Sequence, residues 1–315
     1  ISGRSRTYSF AELQDNVART AGMLQDLGVT RGDRVVLYMP MIPEAVFAML
    51  ACARIGAVHV VVFGGFAAPE LAKRIDDTQP KALLTASCGL EGAKVLPYMP
   101  MVEHALDLCT HKIPAIVVFQ REQVQADLAA RGHLDWAALA AKAPRAECTP
   151  MGALDPLYVL HTSGTTGAPK GVVRETGSYA VALAWSMENV YGVKPGEVFW
   201  AASDIGWVVG HSYIVYGPLL AGVATVMFEG KPVGTPDAGT FWRVIRDNKV
   251  RAFFTAPTAI RAIRKDDPDG DFLKEIGTGD LRTIFLAGER ADPDTVHWLE
   301  DHSKLPVIDH WWQTE

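Results

Sequence analysis

Short runs of apolar, β-favouring residues recur along nearly the whole chain, and most are continuous rather than alternating. They lie at Val35–Met39, Val58–Phe63, Ala82–Thr85, Ala115–Phe119, Leu157–His161, Val198–Ala201, Val223–Phe228, Ala252–Thr255, Thr283–Ala287 and Val307–His310. A continuous apolar strand must be covered on both faces, which is the condition of a parallel sheet flanked by helices. The segments between the runs carry helical end signals. Ser9–Leu27 opens with Ser9-Phe10-Ala11-Glu12, a capping box. Pro43–Gly56 starts with proline and ends with glycine, as helices prefer. Pro69–Thr78, Tyr179–Val190, Asp237–Asn248 and Pro293–His302 read as further helices. Strand–helix alternation of this kind predicts an α/β fold, mainly parallel sheet with flanking helices and right-handed crossovers.

A chain of 315 residues has room for two such units and for a sizeable core. Arg121–Pro150 is Ala-rich and charged, with Gly132 and Pro144, and it separates two α/β stretches. It predicts a first subdomain over residues 1–150 and a second over 151–315. The net charge is −6 and no basic run occurs, which disfavours a nucleic-acid partner. Cys52, Cys88, Cys109 and Cys148 lie far apart without C-x-x-C spacing. They read as buried thiols of a reducing compartment, not as a zinc site or a disulfide frame. No H-x-x-x-H pair suggests a transition metal. The chain opens at Ile1 with no signal-like apolar segment. Ile205–Phe228 has no Asp, Glu, Lys or Arg and is long enough to span a bilayer, but it is interrupted by glycines, His211 and Pro218. It reads as a buried helix followed by a buried strand.

Leu157–His161 is followed directly by Thr162-Ser163-Gly164-Thr165-Thr166-Gly167 and Ala168-Pro169-Lys170-Gly171. Glycines let successive backbone N–H groups turn toward one point, hydroxyls add donors and Lys170 adds positive charge, an arrangement suited to polyphosphate. The G-x-x-x-x-G-K-[ST] spacing of a Walker A loop is not met. Nor is G-x-S-x-G, because His161 stands where a glycine is required. On these residues alone, an anion nest and a flexible surface turn both remain open.

The whole stretch from Ser163 to Gly171 closely resembles the phosphate loop of the adenylate-forming enzymes, which include acyl-CoA synthetases, luciferases and peptide-synthetase adenylation domains. Other stretches agree in type and order: "YMPMIPEAVFAMLACARIGAV" (Tyr38–Val58), "FGGF" (Phe63–Phe66), "SDIGWVVGHSYIVYGPL" (Ser203–Leu219), "TAPTAIRAI" (Thr255–Ile263), "LAGER" (Leu286–Arg290) and "DHWWQTE" (Asp309–Glu315). Together they resemble the short-chain acyl-CoA synthetases of the acetyl and propionyl group, over essentially the whole chain.

That resemblance implies ATP, magnesium, coenzyme A and a small carboxylate as ligands, with no membrane partner, in the cytoplasm or a mitochondrial matrix. It implies an incomplete N-terminal domain of two stacked subdomains, the β-barrel part and the C-terminal domain with its adenylation lysine lying outside this chain. Thr162, Ser163, Gly164, Thr165, Thr166, Gly167 and Lys170 match the phosphate loop. Gly288, Glu289 and Arg290 match the segment along adenine and ribose. Asp309, His310, Trp311, Trp312, Gln313 and Thr314 match the strand and loop beside the adenine and α-phosphate. Glu315 matches the glutamate near magnesium, with Thr166 a second candidate. Each has a plainer alternative: Asp309 as a cap, Trp311 and Trp312 as core, Glu289 as a solvated charge.

Phe63, Gly64 and Gly65 match the lining of the pantetheine path, although two glycines also serve a strand-to-helix turn. Where acetyl enzymes carry an arginine pair for the nucleotide end of coenzyme A, this chain has Glu91-Gly92-Ala93-Lys94. Lys94 keeps one positive charge and Glu91 reverses the other, a departure that points toward the propionyl subgroup. The same resemblance lines the acyl pocket with Val208, Val209, Ala287 and Trp312. Acetyl enzymes generally have threonine in place of Val209 and valine in place of Ala287, so alanine opens room for one more carbon while Trp312 excludes long chains. A pocket methylene is worth roughly 10–200-fold in discrimination. Propionate is therefore the expected acid, with residual use of acetate. Ala287→Val in a complete enzyme is expected to shift preference toward acetate. An unchanged propionate-to-acetate ratio of kcat/KM would contradict this pocket assignment.

Overall fold

A computed structural model describes residues 4–162 and 169–314 of the chain. The chain divides into two compact units, Ser2–Tyr179 and Ala180–Glu315.

In the first unit the helices and strands alternate as α1 (Phe10–Asp26), β1 (Arg34–Tyr38), α2 (Pro43–Ile55), β2 (Val58–Val61), α3 (Ala68–Thr78), β3 (Ala82–Ala86), β4 (Cys88–Glu91), β5 (Lys94–Pro97), α4 (Met99–Leu108), β6 (Ala115–Phe119), β7 (Leu134–Asp135), α5 (Trp136–Lys142), β8 (Pro156–Thr162) and β9 (Lys170–Glu175). Seven strands form one sheet in the order β7-β6-β3-β1-β2-β8-β9. All neighbours are parallel except β8 and β9. The β1, β2 and β3 side chains are almost all buried, as expected of strands covered on both faces. Val36, Val60, Leu83 and Val118 meet Leu71, Ile75 and Val102 in the core.

Local chemistry sets the helix ends. The Ser9 hydroxyl accepts from Glu12 N at 3.2 Å, and the Glu12 carboxylate accepts from Ser9 N at 2.8 Å, which completes the capping box. α2 ends at Gly56 with φ +71°, a left-handed cap that glycine adopts without strain.

The unit boundary and the exposure of one cysteine differ from the sequence reading. Arg121–Pro150 does not separate the units: it supplies β7 and α5, and its tail crosses α1 and α2. Ala146 N donates to Ala18 O at 3.0 Å, Arg54 Nε to Ala146 O at 2.7 Å, and Thr149 N to Arg54 O at 2.8 Å. Because β8 pairs with β2 and β9 with β8, the division falls at Tyr179, later than Pro150. Cys148 is exposed on that crossing segment, whereas Cys52, Cys88 and Cys109 are buried; none of the four forms a disulfide.

The helix α6 (Thr176–Asn189) runs across the division between the units. The second unit then contains β10 (Val198–Ala201), α7 (Val208–Gly210), a π-helical turn (His211–Tyr216), α8 (Gly217–Leu220), β11 (Ala224–Thr225), α9 (Thr240–Asp247), β12 (Val250–Thr255), α10 (Pro257–Asp266), α11 (Asp271–Ile276), β13 (Thr283–Leu286), α12 (Pro293–Ser303) and β14 (Val307–Asp309). Its five strands are parallel throughout, in the order β11-β10-β12-β13-β14. Trp200, Trp242, Phe253, Ile260, Ile284 and Leu299 form its core. The Ile205–Phe228 stretch is indeed a buried helical segment, but a short, partly exposed β11 follows it in place of a buried strand. Among the described residues no helix is long and apolar enough to cross a membrane.

The crossing segment lies so close to α1 that a Cβ at Gly22 would overlap the Pro144 carbonyl oxygen. Alanine normally gains up to ~1 kcal/mol over glycine inside a helix. Here overpacking against backbone outweighs that gain, and Gly22→Ala is expected to cost about 1–3 kcal/mol. Urea denaturation checks this; a stabilised variant would mean the segment does not lie on α1.

Candidate active site

The parallel ladder of the second unit aligns the strand exits. Ala201 is level with Phe254, Thr255 with Leu286, and Leu286 with Asp309. The residues that follow β10, β12, β13 and β14 therefore emerge along one edge of the sheet. In open α/β sheets ligands bind outside the carboxyl ends of the strands. Gly288–Arg290 follows β13 and His310–Thr314 follows β14, so the two predicted nucleotide segments leave adjacent strands.

Gly288 is exposed, adopts φ +100°, and has no neighbouring atom within 4 Å of where a Cβ would stand. Glycine is needed there for the backbone angle, not to avoid a neighbour, and the main chain is open to approach. The Glu289 side chain turns to α10 instead. Its carboxylate accepts from the Thr258 hydroxyl and from Arg261 Nη2, the latter at 2.6 Å. The Thr258 hydrogen bond and then the Arg261 charge hold it below the usual carboxylate range. Arg261 also reaches Asp292 at 3.2 Å, and Asp292 caps α12 by accepting from Thr295 N at 2.9 Å. Glu289 is thus not a free solvated charge. Arg290 is exposed.

Asp309 is exposed at the end of β14, and Ala291 N donates to it at 3.4 Å. His310 is drawn inward. Its backbone N–H and its Nδ1 both donate to Leu286 O, at 2.9 and 2.8 Å, and Tyr191 Oη lies 3.2 Å from its Nε2. Burial holds the imidazole below its ordinary pKa. Trp311 is 83% exposed, which removes its reading as core. Trp312 is half-buried and meets the Tyr213 ring edge-on, centroids 5.4 Å apart. Gln313 is exposed and Thr314 half-buried.

Of the predicted acyl-pocket residues, Val208 and Ala287 are buried and Val209 is half-buried. Val208 opens α7, and Tyr213 in the π turn joins that helix to Trp312. A Cβ at Gly210 would overlap the Asp204 carbonyl, so glycine lets α7 start against the loop that leaves β10. Asp204 Oδ1 accepts from Gly206 N at 2.7 Å, and burial pushes its pKa up to about 6. His211 is fully buried and depressed to about 4, with Nδ1 3.1 Å from Trp207 O.

In the first unit, Thr162 closes β8 and Lys170 opens β9, paired directly opposite each other. The loop's two ends are thereby fixed by an antiparallel ladder, and Lys170 is exposed at its foot. Ser163, Gly164, Thr165, Thr166 and Gly167 lie outside the described residues, as does Glu315. His161, next to Thr162, is buried with Nε2 2.7 Å from Asp77 Oδ2. In "FGGF", Tyr38 Oη donates to Phe66 O at 2.8 Å, and a Cβ at Gly64 would overlap the Tyr98 hydroxyl. Packing therefore accounts for Gly64, and a Cβ at Gly65 would likewise overlap the Phe63 ring, although Gly65 is exposed and Phe63 half-buried. Lys94 is exposed and sits opposite Glu91 at the tip of the β4–β5 hairpin. Among the described residues no group of three or more His, Cys, Asp or Glu side chains could hold a metal.

Sequence reasoning missed Tyr191, Tyr213 and Asp204 as site-supporting residues, and Arg261 as the anchor of Glu289. Tyr213 and Asp204 stand inside the quoted Ser203–Leu219 stretch, and Arg261 inside Thr255–Ile263. Tyr191 carries no local signal.

The sequence pattern of the AMP-binding enzymes matches residues 1–315. The chain belongs to the AMP-binding enzyme family. It is 52% identical over 316 residues to the human mitochondrial acyl-CoA synthetase short-chain family member 3, covering 100% of this chain and 46% of that protein. It is 45% identical over 312 residues to the propionate–CoA ligase of Escherichia coli strain K12, covering 98% of this chain and 49% of that protein. The acetoacetyl-CoA synthetase of Streptomyces lividans superposes with a TM-score of 0.86 at 28% identity, covering 99% of this chain and 48% of that one. The chain spans about half the length of the curated relatives it matches.

Because the folded-state pKa of Asp204 is raised, its contribution to stability is present below the unfolded carboxyl pKa and is lost as pH rises toward 6. Asp204→Asn keeps the acceptor for Gly206 N and removes that loss. The variant is expected to be more stable than the parent at pH 8, by at most about 3 kcal/mol, and to lose the advantage near pH 4. Denaturation at both pH values checks this; an advantage that grows on acidification would contradict it.

Proposed function

We propose that the chain activates a short-chain carboxylate, propionate by preference, as part of an AMP-forming acyl-CoA synthetase. The observation that carries this reading is the pairing of β13 with β14. It sets the exposed Gly288 backbone and the His310–Thr314 segment side by side at the sheet's carboxyl edge. The printed names of the relatives, a short-chain acyl-CoA synthetase and a propionate–CoA ligase, support the class of acid.

In the first half-reaction a carboxylate oxygen attacks the α-phosphorus of ATP. The bond to the bridging oxygen breaks, leaving an acyl-adenylate and pyrophosphate. In the second, the thiolate of coenzyme A attacks the acyl carbon, and AMP leaves with the bonding electron pair. No covalent protein intermediate is required, so the protein's work is positioning and charge stabilisation. In this reading Gly288–Arg290 and Asp309–Thr314 hold adenine, ribose and the α-phosphate. Thr162–Gly167 and Lys170 hold the polyphosphate. Val208, Val209, Ala287 and Trp312 surround the acyl chain, and Phe63–Gly65 with Lys94 contact coenzyme A. Glu315 and Thr166 are the proposed ligands of a magnesium ion, which would neutralise phosphate charge when bound with ATP.

Calorimetric titration of the folded chain with the non-hydrolysable ethyl and propyl esters of AMP tests the reading. Saturable binding, with the propyl ester tighter, is the expected result. Equal or reversed affinities would overturn the propionate assignment, and no binding of either ester would overturn the adenylate site.

A further inference from the structure

Resting on the phosphate-loop reading above, we propose that His161 is a positioning residue for the polyphosphate of ATP, its hydrogen bond to Asp77 fixing the ladder between Thr162 and Lys170. His161 and Gly171 face each other across β8 and β9, and Thr162 with Lys170 is the next pair along. The His161 side chain is 2% exposed, and its Nε2 lies 2.7 Å from Asp77 Oδ2 on α3. An ionised carboxylate only accepts, so Nε2 is the nitrogen that donates. Nδ1 of the same ring is buried and has no hydrogen-bond partner among the described residues. Burial holds the imidazole below its ordinary pKa, against the pull of the Asp77 bond, and the buried Arg74 guanidinium on α3 also opposes charge on the ring.

Two further features favour this contact. Asp76 and Asp77 both lie in the last turn of α3, which carries no basic residue. The helix dipole disfavours carboxylates there. Asp76 is accounted for by Thr110 N and His111 N, which donate to it at 2.8 and 2.9 Å. His161 plays the same part for Asp77. The second feature is on β9. A Cβ at Gly171 would stand 2.9 Å from Val159 Cγ1, 3.5 Å from His161 Nε2 and 3.6 Å from Asp77 Oδ2. A larger side chain would lie across the contact, so glycine keeps clear the path by which α3 reaches His161.

Without Asp77, both nitrogens of a buried ring would lack a partner, which costs more than the bond itself contributes. A ring without its anchor shifts, and the Thr162–Lys170 pair beside it loses its fixed position.

Calorimetry of the chain with ATP and with AMP reads the effect, because AMP lacks the β- and γ-phosphates. Parent chain is expected to bind ATP tighter than AMP. Asp77→Ala is expected to narrow that ratio about three- to ten-fold, the equivalent of one hydrogen bond, with AMP affinity unchanged. Charge alone predicts the opposite sign, since removing a carboxylate near a polyphosphate strengthens ATP binding. Asp77→Asn removes the same charge and keeps an acceptor oxygen, so it is expected to match or exceed the parent ratio. A ratio unchanged or raised in Asp77→Ala, or narrowed as far in Asp77→Asn, overturns the proposal and leaves the phosphate-loop reading standing. A parent that binds ATP no tighter than AMP overturns that reading and the proposal together. Ring-nitrogen NMR of the parent, with His161 assigned by the resonance lost in His161→Gln, gives a second readout. A neutral ring protonated at Nε2 is expected; protonation at Nδ1 overturns the proposal even if Asp77→Ala does not fold.

Discussion

The Leu286 carbonyl accepts two hydrogen bonds from a single residue, one from the His310 backbone and one from its Nδ1. A carbonyl oxygen has two lone pairs, and both are spent on fixing where the chain leaves β14 relative to β13. What is proposed for Gly288–Arg290 and Asp309–Thr314 rests on that register. It sets Gly288 and Trp311 beside each other's strands, turns Trp312 back toward Tyr213, and requires His310 to hold its Nε2 lone pair toward Tyr191. Burial disfavours the charged form of His310, which would present a proton toward the Tyr191 hydroxyl.

The site divides labour between side chain and backbone. Glu289, exposed at the surface, and His310, half-buried, are engaged by Thr258, Arg261, Leu286 and Tyr191. Gly288 and the large face of Trp311 are left outward. Side chains committed to the fold hold the outward groups in place before any ligand arrives, which is what a reaction dependent on positioning requires. The π-helical turn at His211–Tyr216 belongs to the same scheme: its wider winding departs from regular helical spacing in the segment that carries Tyr213.

Much of the fold was legible because parallel strands are buried on both faces and announce themselves as apolar runs. Ala115–Phe119 and Val198–Ala201 coincide with β6 and β10, and Gly56 ends α2 as its sequence position implied. What escaped was structure without that signal. β9 lies at a sheet edge with exposed Lys170, Gly171 and Val173, and the β4–β5 hairpin stands largely in solvent, so neither needs an apolar pattern. β7 has two residues, too few for any period. Arg121–Pro150 looked like a boundary by composition, yet hydrogen bonds from Ala146 and Thr149, invisible to composition, tie it to α1 and α2. The motif residues of the site stood out in sequence. Tyr191 did not, because its contact with His310 spans more than a hundred residues.

The most direct test of the account is an amide NMR titration of the chain with AMP. The account predicts that the largest shift changes fall on Gly288, Glu289 and Arg290 and on His310 through Thr314. The core strands at Phe253 and Ile284 should remain still. Saturable changes confined to other parts of the chain, or none at all in a folded protein, would contradict it.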